Sequence, residues 1–251
     1  MTLKEFVHRF VIVHKCACCS EILEYERCNE AFCSECKLAW RSAMTESCGE
    51  CFKEISECAC MPKRLSNSGA LTLRKLVFYS PEHRSEPQSR LIFKLKNNKN
   101  KRYSSFVASQ MRSAVMNELK NLVDINSEDI YKSVVIAYVP RSKKAKSENG
   151  VDQSEQICKA LSSVTGIPVK NVIKRKRSGK EQKNLTMTER FKNTESLFEL
   201  YDNADVSGKY VILFDDIVTT GASLTACTRI LRKGRAKGVL CFCIARDKLK
   251  R

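Results

Sequence analysis

Two adjacent carboxylates, Asp215 and Asp216, precede a turn of small and hydroxyl-bearing residues in this 251-residue chain. The turn consists of Thr219, Thr220, Gly221, Ala222 and Ser223. Residues 210–214 are an apolar run that predicts a short buried strand, and apolar residues at helical spacing from Leu224 to Leu231 predict a helix. A strand, a glycine turn and a helix N-terminus expose backbone N–H groups and the positive end of the helix dipole, which favour a phosphate. The paired carboxylates suit two neighbouring hydroxyls, as on a ribose.

No lysine follows the glycine of this turn, so the segment is not a nucleotide P-loop. It resembles the phosphoribosyl-pyrophosphate (PRPP) motif of type I phosphoribosyltransferases. The resemblance implies that Asp215 and Asp216 hold the ribose hydroxyls and that residues 219–223 hold the 5′-phosphate. The alternative is an acidic strand end that only caps a helix. Some members of this fold only bind or regulate, so the motif alone does not establish catalysis.

Ten of the fourteen cysteines lie between Cys16 and Cys60. Each C-x-x-C pair places two thiolates on one turn, and two such turns make a closed four-cysteine zinc site. The first predicted site consists of Cys16, Cys19, Cys33 and Cys36. The second consists of Cys48, Cys51 and Cys60, with Cys58 or Cys28 as the fourth ligand.

We expect the metal to be structural zinc, because a short segment with little apolar content cannot build its own core. Disulfides are the alternative for these cysteines, although no secretory signal is visible. Redox chemistry is a weaker alternative, since no thioredoxin-like strand and helix surround the pairs. His14 is an alternative ligand for the first site, but a neutral surface histidine is the simpler interpretation.

The formal net charge of +17 is unevenly distributed. Residues 1–69 carry nine Lys or Arg against ten Glu, so the excess of positive charge lies in residues 70–251. Such a field attracts nucleic acid or phosphorylated metabolites, although a generic basic surface is the alternative. No apolar run approaches the ~20 residues of a membrane span, and residues 10–13 are too short for the core of a signal peptide. We therefore expect a cytoplasmic protein.

Two basic clusters are candidates for contacts with nucleic-acid phosphates. The candidate residues are Arg141, Lys143, Lys144, Lys174, Arg175, Lys176 and Arg177. Residues 174–183 are too polar for a core and predict a mobile lid or a polyanion-binding loop. Aromatic residues near the clusters include Phe93, Tyr103, Tyr138 and Phe191, but aromatic residues more often belong to a core.

The pattern of elements predicts an α/β fold. We expect strands at residues 134–139, 210–214 and 239–245, and helices at residues 104–122, 154–164 and 190–200. Strands that alternate with helices favour a mostly parallel sheet, with the phosphate site at the carboxyl ends of the strands. The predicted domains are a cysteine-rich module (1–62), joined through a linker at 61–70, and a phosphoribosyltransferase-like domain (63–251).

The order of motifs along the chain is similar to that of the ComF family of bacterial competence proteins. The motifs are the cysteine pairs, Tyr138-Val139-Pro140, Gly150-Val151-Asp152-Gln153, Gln182 with Arg190 and Asn193, and the carboxylate loop. Asn149 and Asp152 stand where the family usually has arginine and asparagine. The resemblance implies a cytoplasmic role in natural transformation, in which the protein handles incoming single-stranded DNA.

Three functions fit the sequence. The first is a ComF-like protein that binds PRPP or a related phosphate, together with single-stranded DNA and competence proteins. The second is a phosphoribosyltransferase of nucleotide salvage or synthesis that uses loops and a divalent metal, Mg²⁺, to hold pyrophosphate while positive charge develops on the ribose. The third is regulatory RNA binding on the same fold.

Overall fold

The computed structural model describes residues 13–27, 29–97, 101–123, 130–142, 152–176 and 196–247. These residues form a cysteine-rich segment followed by an α/β domain. Among the described helices, none is both long enough and apolar enough to cross a lipid bilayer.

A parallel four-stranded sheet organises the α/β domain. Its strands are β1 (Ala70–Tyr79), β2 (Val134–Tyr138), β5 (Tyr210–Val218) and β6 (Gly238–Asp247), in the order β1-β6-β5-β2. Nearly every residue of β2 and β6 is buried. Such continuous burial is typical of parallel strands that are covered on both faces, and the expected parallel sheet is confirmed. A separate antiparallel pair consists of β3 (Ile173–Arg175) and β4 (Phe198–Leu200), which lie between β2 and β5 in the sequence.

Helices cover both faces of the sheet. Besides a 3-10 turn at Tyr25–Arg27, the helices are α1 (Ser34–Met44), α2 (Lys63–Ser66), α3 (Pro87–Asn97), α4 (Lys101–Lys120), α5 (Ile130–Ser133), α6 (Gln153–Thr165) and α7 (Ala222–Lys233). Alternate residues of β5 divide between two apolar clusters. Ile212 and Phe214 pack in the cluster that contains residues of α4 and α6, whereas Val211 and Leu213 pack with residues of α7. The helices expected at 104–122 and 154–164 are confirmed as α4 and α6.

The structure corrects three expected elements. Residues 198–200 form strand β4 rather than the end of a helix, because Phe198 is buried in the core while Glu199 faces away from it. The basic stretch from residue 174 begins in strand β3 rather than in a loop. Residues 63–66 of the expected linker form a helical turn that buries Leu65. The rest of the 190–200 prediction lies outside the described residues.

The cysteine-rich segment packs directly against the α/β domain. Phe32 and Trp40 of this segment contact Phe106 of α4, with ring centroids 5.3 and 5.6 Å apart. Both residues are almost fully buried in the same apolar cluster as β5 and β6. The segment therefore shares a core with the larger domain, and the proposed boundary at residue 62 stays a prediction.

Candidate functional site

The two motif carboxylates lie within a strand. β5 continues through Asp215 and Asp216 to Val218, whereas the sequence predicted that it ends at residue 214. The Oδ1 of Asp215 accepts a hydrogen bond from the backbone N–H of Asp216 at 2.9 Å, and the Oδ1 of Asp216 accepts one from Ile217 at 2.8 Å. These bonds fix both carboxylates near the carboxyl end of the central sheet, where ligands of parallel sheets bind.

The turn after β5 leads directly into α7. Gly221 is the N-cap residue and has φ 75° and ψ 10°, a left-handed conformation that glycine adopts readily. The hydroxyl of Thr220 accepts a hydrogen bond from the N–H of Ala222 at 3.4 Å. The N–H groups of Ser223 and Leu224 make no hydrogen bond to another residue that the structure describes. The start of α7 therefore offers backbone donors and its dipole to an anion, as the sequence predicted.

The setting of Asp215 disfavours its charged form. Burial and the adjacent charge of Asp216 raise the pKa of Asp215 well above its usual value, and the guanidinium of Arg141 only partly opposes them. Two carboxylates that share one small region cannot both ionise without cost unless a cation or hydrogen-bond donors approach them. A ligand with two adjacent hydroxyls supplies such donors.

Arg141 lies at this site. Its guanidinium forms an ion pair with Asp216 in which both side chains are mostly buried. The side chain of Asp152 caps α6 by accepting from the N–H of Glu155 at 3.4 Å, and its other oxygen accepts from the N–H of Arg141 at 3.3 Å. Asp152 therefore holds the turn after β2 against the start of α6, and this places Arg141 over the motif. Asn149, like residues 143–151 as a whole, lies outside the described residues.

Three of the candidate nucleic-acid residues lie on or beside β3, and each already has a partner. Lys174 and Lys176 pair with Glu199 at 3.4 and 3.1 Å. The guanidinium of Arg175 lies 5.3 Å from the ring centroid of Phe198. Burial lowers the pKa of Arg175. Lys143, Lys144 and Arg177 lie outside the described residues.

The first cysteine cluster has the ligand set that the spacing predicted. The sulfur atoms of Cys16, Cys19, Cys33 and Cys36 all lie within 4.8 Å of one another. Burial raises the pKa of Cys16, but backbone hydrogen bonds from Cys33, Cys19 and Cys18 outweigh it and lower this pKa to about 7. Burial raises the pKa of Cys33 to about 11. A divalent cation would bind these cysteines as thiolates and displace their protons.

The second cluster uses Cys58 as its fourth member. The sulfur atoms of Cys48, Cys51, Cys58 and Cys60 lie within 4.8 Å of one another. Backbone N–H groups point at two of these sulfurs, from Glu50 to Cys48 at 3.5 Å and from Cys60 to Cys58 at 3.3 Å. Sulfur atoms so placed fit a tetrahedral metal ion, and both clusters can hold one. Cys28, the other candidate, lies outside the described residues.

Comparison with known proteins supports the phosphoribosyltransferase character of the larger domain. Residues 148–251 match the family model of the phosphoribosyl transferase domain. This segment contains the carboxylates, the turn and α7. No curated protein sequence matches the chain.

Several solved structures are similar to part of the chain. The allosteric regulatory enzyme of purine biosynthesis aligns over 61% of this chain and 30% of its own, with 16% identity and a TM-score of 0.37. Adenine phosphoribosyltransferase from Saccharomyces cerevisiae aligns over 56% of this chain and 68% of its own, with 19% identity and a TM-score of 0.31. A hypoxanthine phosphoribosyltransferase from Staphylococcus aureus aligns over 60% of this chain and 66% of its own, with 12% identity and a TM-score of 0.34.

Sequence reasoning missed two features of the site. It did not find the ion pair between Arg141 and Asp216, and the assignment of Arg141 to nucleic acid stays a prediction. It treated Asp152 only as a departure from a family pattern, although Asp152 is the N-cap of α6. The capping role has a sequence signal, because aspartate and asparagine are equally good N-caps and Asp152 directly precedes the first residues of a helical pattern.

Proposed function

We propose that the chain binds PRPP, or a closely related phosphorylated ribose, at residues 215–223. One observation carries the proposal. Asp215 and Asp216 lie near the end of β5, and a left-handed glycine and the first N–H groups of α7 follow, within the segment that matches the phosphoribosyl transferase model. In this arrangement the carboxylates accept hydrogen bonds from the ribose hydroxyls, and the turn and α7 bind the 5′-phosphate.

We infer that Arg141 binds the remaining group of PRPP, its pyrophosphate. When ribose hydroxyls replace Arg141 as the partners of Asp216, the guanidinium is free to bind pyrophosphate oxygens. In the transfer reaction the bond from C1 of the ribose to pyrophosphate breaks, and its electron pair leaves on pyrophosphate. A bond from C1 to a nitrogen of the acceptor forms, and the proton of that nitrogen passes to solvent. Bound Mg²⁺ would neutralise charge on the pyrophosphate. We propose a nucleobase or another amine as the class of acceptor.

Calorimetric titration with PRPP and Mg²⁺ tests this assignment. The Asp215→Asn, Asp216→Asn double variant should bind much more weakly, since loss of one charged hydrogen bond costs about 1.5–3 kcal/mol. The Asp205→Asn variant changes a carboxylate that pairs with Lys170 and Lys209 outside the motif, and it should bind as the parent does. Equal affinity in the double variant and the parent would overturn the assignment.

Single-stranded DNA is the proposed second ligand, and a ComF-like cytoplasmic role in natural transformation is the proposed setting. The charge distribution favours this candidate, because residues 70–251 carry all of the positive excess. Lys174 and Lys176 pair with Glu199 in exposed ion pairs, which are worth only about 0–1 kcal/mol and are easily exchanged for phosphate contacts. Single strands bound through phosphates are recognised with little sequence preference.

We propose that both cysteine clusters hold structural zinc. Each cluster brings four cysteine sulfur atoms within 4.8 Å of one another. Four thiolates are a usual ligand set for zinc, and a closed four-cysteine site leaves no position open for chemistry. Elemental analysis of the reduced, purified chain should find two zinc ions. Replacement of Cys16 and Cys19 by serine should remove one of them, and a metal-free soluble protein would refute the proposal.

A further inference from the structure

A buried lysine faces the second cysteine cluster. Lys75 of β1 is 1% exposed, although lysine is rarely buried without a partner. Its ammonium donates to the carbonyl oxygen of Cys58 at 3.1 Å, to the sulfur of Cys58 at 3.1 Å and to the carbonyl oxygen of Cys60 at 3.0 Å. The three N–H groups of the ammonium thus meet three acceptors, and all three belong to two residues of the cluster.

None of these acceptors is a carboxylate. None of the ion pairs formed within the described part of the chain includes Lys75. A buried charge without a counter-charge is strongly destabilising. The sulfur of Cys58 is the one acceptor of Lys75 that can carry a negative charge, and it does so when the cluster holds a metal as thiolates. Four thiolates around one divalent cation carry a net charge of −2, which a neighbouring ammonium offsets.

The first cluster differs in this respect. The lysine next to Cys36, Lys37, forms an ion pair with the carboxylate of Glu30 at 2.9 Å and is partly exposed. Its charge is therefore compensated whether or not the first cluster holds a metal. This contrast makes Lys37 a matched control for Lys75.

Basic residues of β1 and β6 attach the second cluster to the edge of the sheet. Besides Lys75, Arg246 donates to the carbonyl of Cys60 at 3.3 Å and pairs with Glu50 at 3.1 Å. Arg74 donates to the carbonyl of Glu57. Of these three basic residues, Lys75 is the one that also reaches a sulfur atom.

We propose that Lys75 is the counter-charge of the second metal centre and the residue that couples its occupancy to the docking of that centre on β1. The inference rests on the proposed binding of metal by this cluster. Occupancy then stabilises the contact with the sheet, and Lys75 in turn raises the affinity of this centre for metal by the same free energy. Loss of the metal removes the net negative charge that the occupied four-thiolate site presents to this ammonium.

Metal affinity gives the first test. The zinc-loaded parent, Lys75→Met, Lys75→Arg and Lys37→Met are titrated with a chromophoric chelator. Lys75→Met should bind one of its two zinc ions more weakly, by about 10–100-fold, as loss of an outer-shell partner usually causes. Lys75→Arg keeps the charge and should lose less, and Lys37→Met should match the parent. Two zinc ions of parental affinity in Lys75→Met would overturn the proposal.

The second test measures how Lys75→Met changes the melting temperature with and without the second metal. We expect the change to reverse its sign, which a purely structural role for Lys75 would not produce. In the zinc-loaded parent, Lys75→Met should lower the melting temperature. In a Cys48→Ser, Cys51→Ser background, which removes the second metal but keeps Cys58, the same substitution should raise it. An equal decrease in both backgrounds would mean that Lys75 only bonds carbonyl groups, and would refute the proposal. If the double-serine background does not fold, the chelator titration decides alone.

The metal content of the parent and of the two variants distinguishes failure of the metal site from failure of the role of Lys75. If the parent chain contains no metal at the second cluster, the proposed metal site itself fails. If it contains two zinc ions that respond equally to Lys75→Met and Lys37→Met, the metal site stands and only the role of Lys75 is wrong.

Discussion

At the scale of the residue, the motif places a carboxylate where its charge is unfavourable. The pKa of Asp215 is raised by burial and by Asp216, so the free protein loses stability by ionising it. Such a cost is typical of groups that are positioned for a ligand rather than for folding. Ribose hydroxyls that donate hydrogen bonds to the carboxylate of Asp215 would remove part of this free-energy cost. The free energy recovered in this way contributes to binding of the ligand.

The expected consequence is a stabilised Asp215→Asn variant that binds PRPP more weakly. A raised folded-state pKa means that the unfolded chain releases this proton first, so the penalty starts near the unfolded value of about pH 4 and grows as the pH rises to the folded pKa. The variant should therefore melt at a higher temperature than the parent at neutral pH and show little difference at acidic pH. In a chain of this size each kcal/mol changes the melting temperature by about 2–4 °C.

Asp205 provides a control, because its pKa is lowered rather than raised in the folded protein. Hydrogen bonds from Lys209 and Lys170 lower its pKa, so its charged form favours the folded state. Asp205→Asn should be neutral or slightly destabilising at neutral pH, and any loss should disappear as the pH falls through the folded pKa. Calorimetric melting curves across this pH range compare the two variants. A destabilised Asp215→Asn at neutral pH would contradict the assignment.

At the scale of the element, the phosphate turn depends on Gly221 for two separate reasons. Its positive φ disfavours any residue with a Cβ, and a Cβ at this position would lie 3.3 Å from the Cγ of Pro62. Pro62 precedes α2, which packs against α7. The residues just after the second cysteine cluster therefore form one wall of the turn.

Gly221→Ala and Gly208→Ala separate these two effects. Gly208 has φ 71° but open space around it. Both variants should lose about 1–2 kcal/mol of stability from the left-handed conformation, whereas only Gly221→Ala should also weaken PRPP binding, because Pro62 and the turn must shift. Denaturant unfolding and calorimetric titration measure the two quantities. Equal PRPP affinity in both alanine variants would show that the turn tolerates the shift.

The sequence predicted the elements whose patterns are local. The strand, turn and helix around Gly221 and both cysteine clusters follow from spacing within short segments. The prediction failed at β4, where Phe198 and Glu199 give too short an alternation to distinguish strand from helix and where pairing with β3 decides the outcome. It did not identify the ion pair of Arg141 or the contacts of Lys75, because their partners lie 75 and 17 residues away in the chain.

At the scale of the whole molecule, the positive charge is concentrated in the region that contains the proposed PRPP site. The cysteine-rich region is nearly neutral, and the positive excess belongs to residues 70–251. Lys174, Arg175 and Lys176 form a basic group on and directly after β3, within the same domain as Asp215. A polyanion attracted by this field would therefore approach the same region as the proposed PRPP site.

This arrangement predicts salt-dependent binding of single-stranded DNA. Replacement of residues 174–177 by alanine should weaken binding and reduce the log–log salt slope, by about 0.7 for each phosphate that a lost residue neutralised. The matched control replaces Lys209, Lys233, Arg235 and Lys237, which lie near the amino ends of β5 and β6, and so removes the same charge elsewhere. The control should lower affinity only slightly. If the 174–177 variant instead keeps its DNA affinity and salt slope but loses PRPP affinity, this basic run serves the PRPP site and the DNA-binding proposal is wrong.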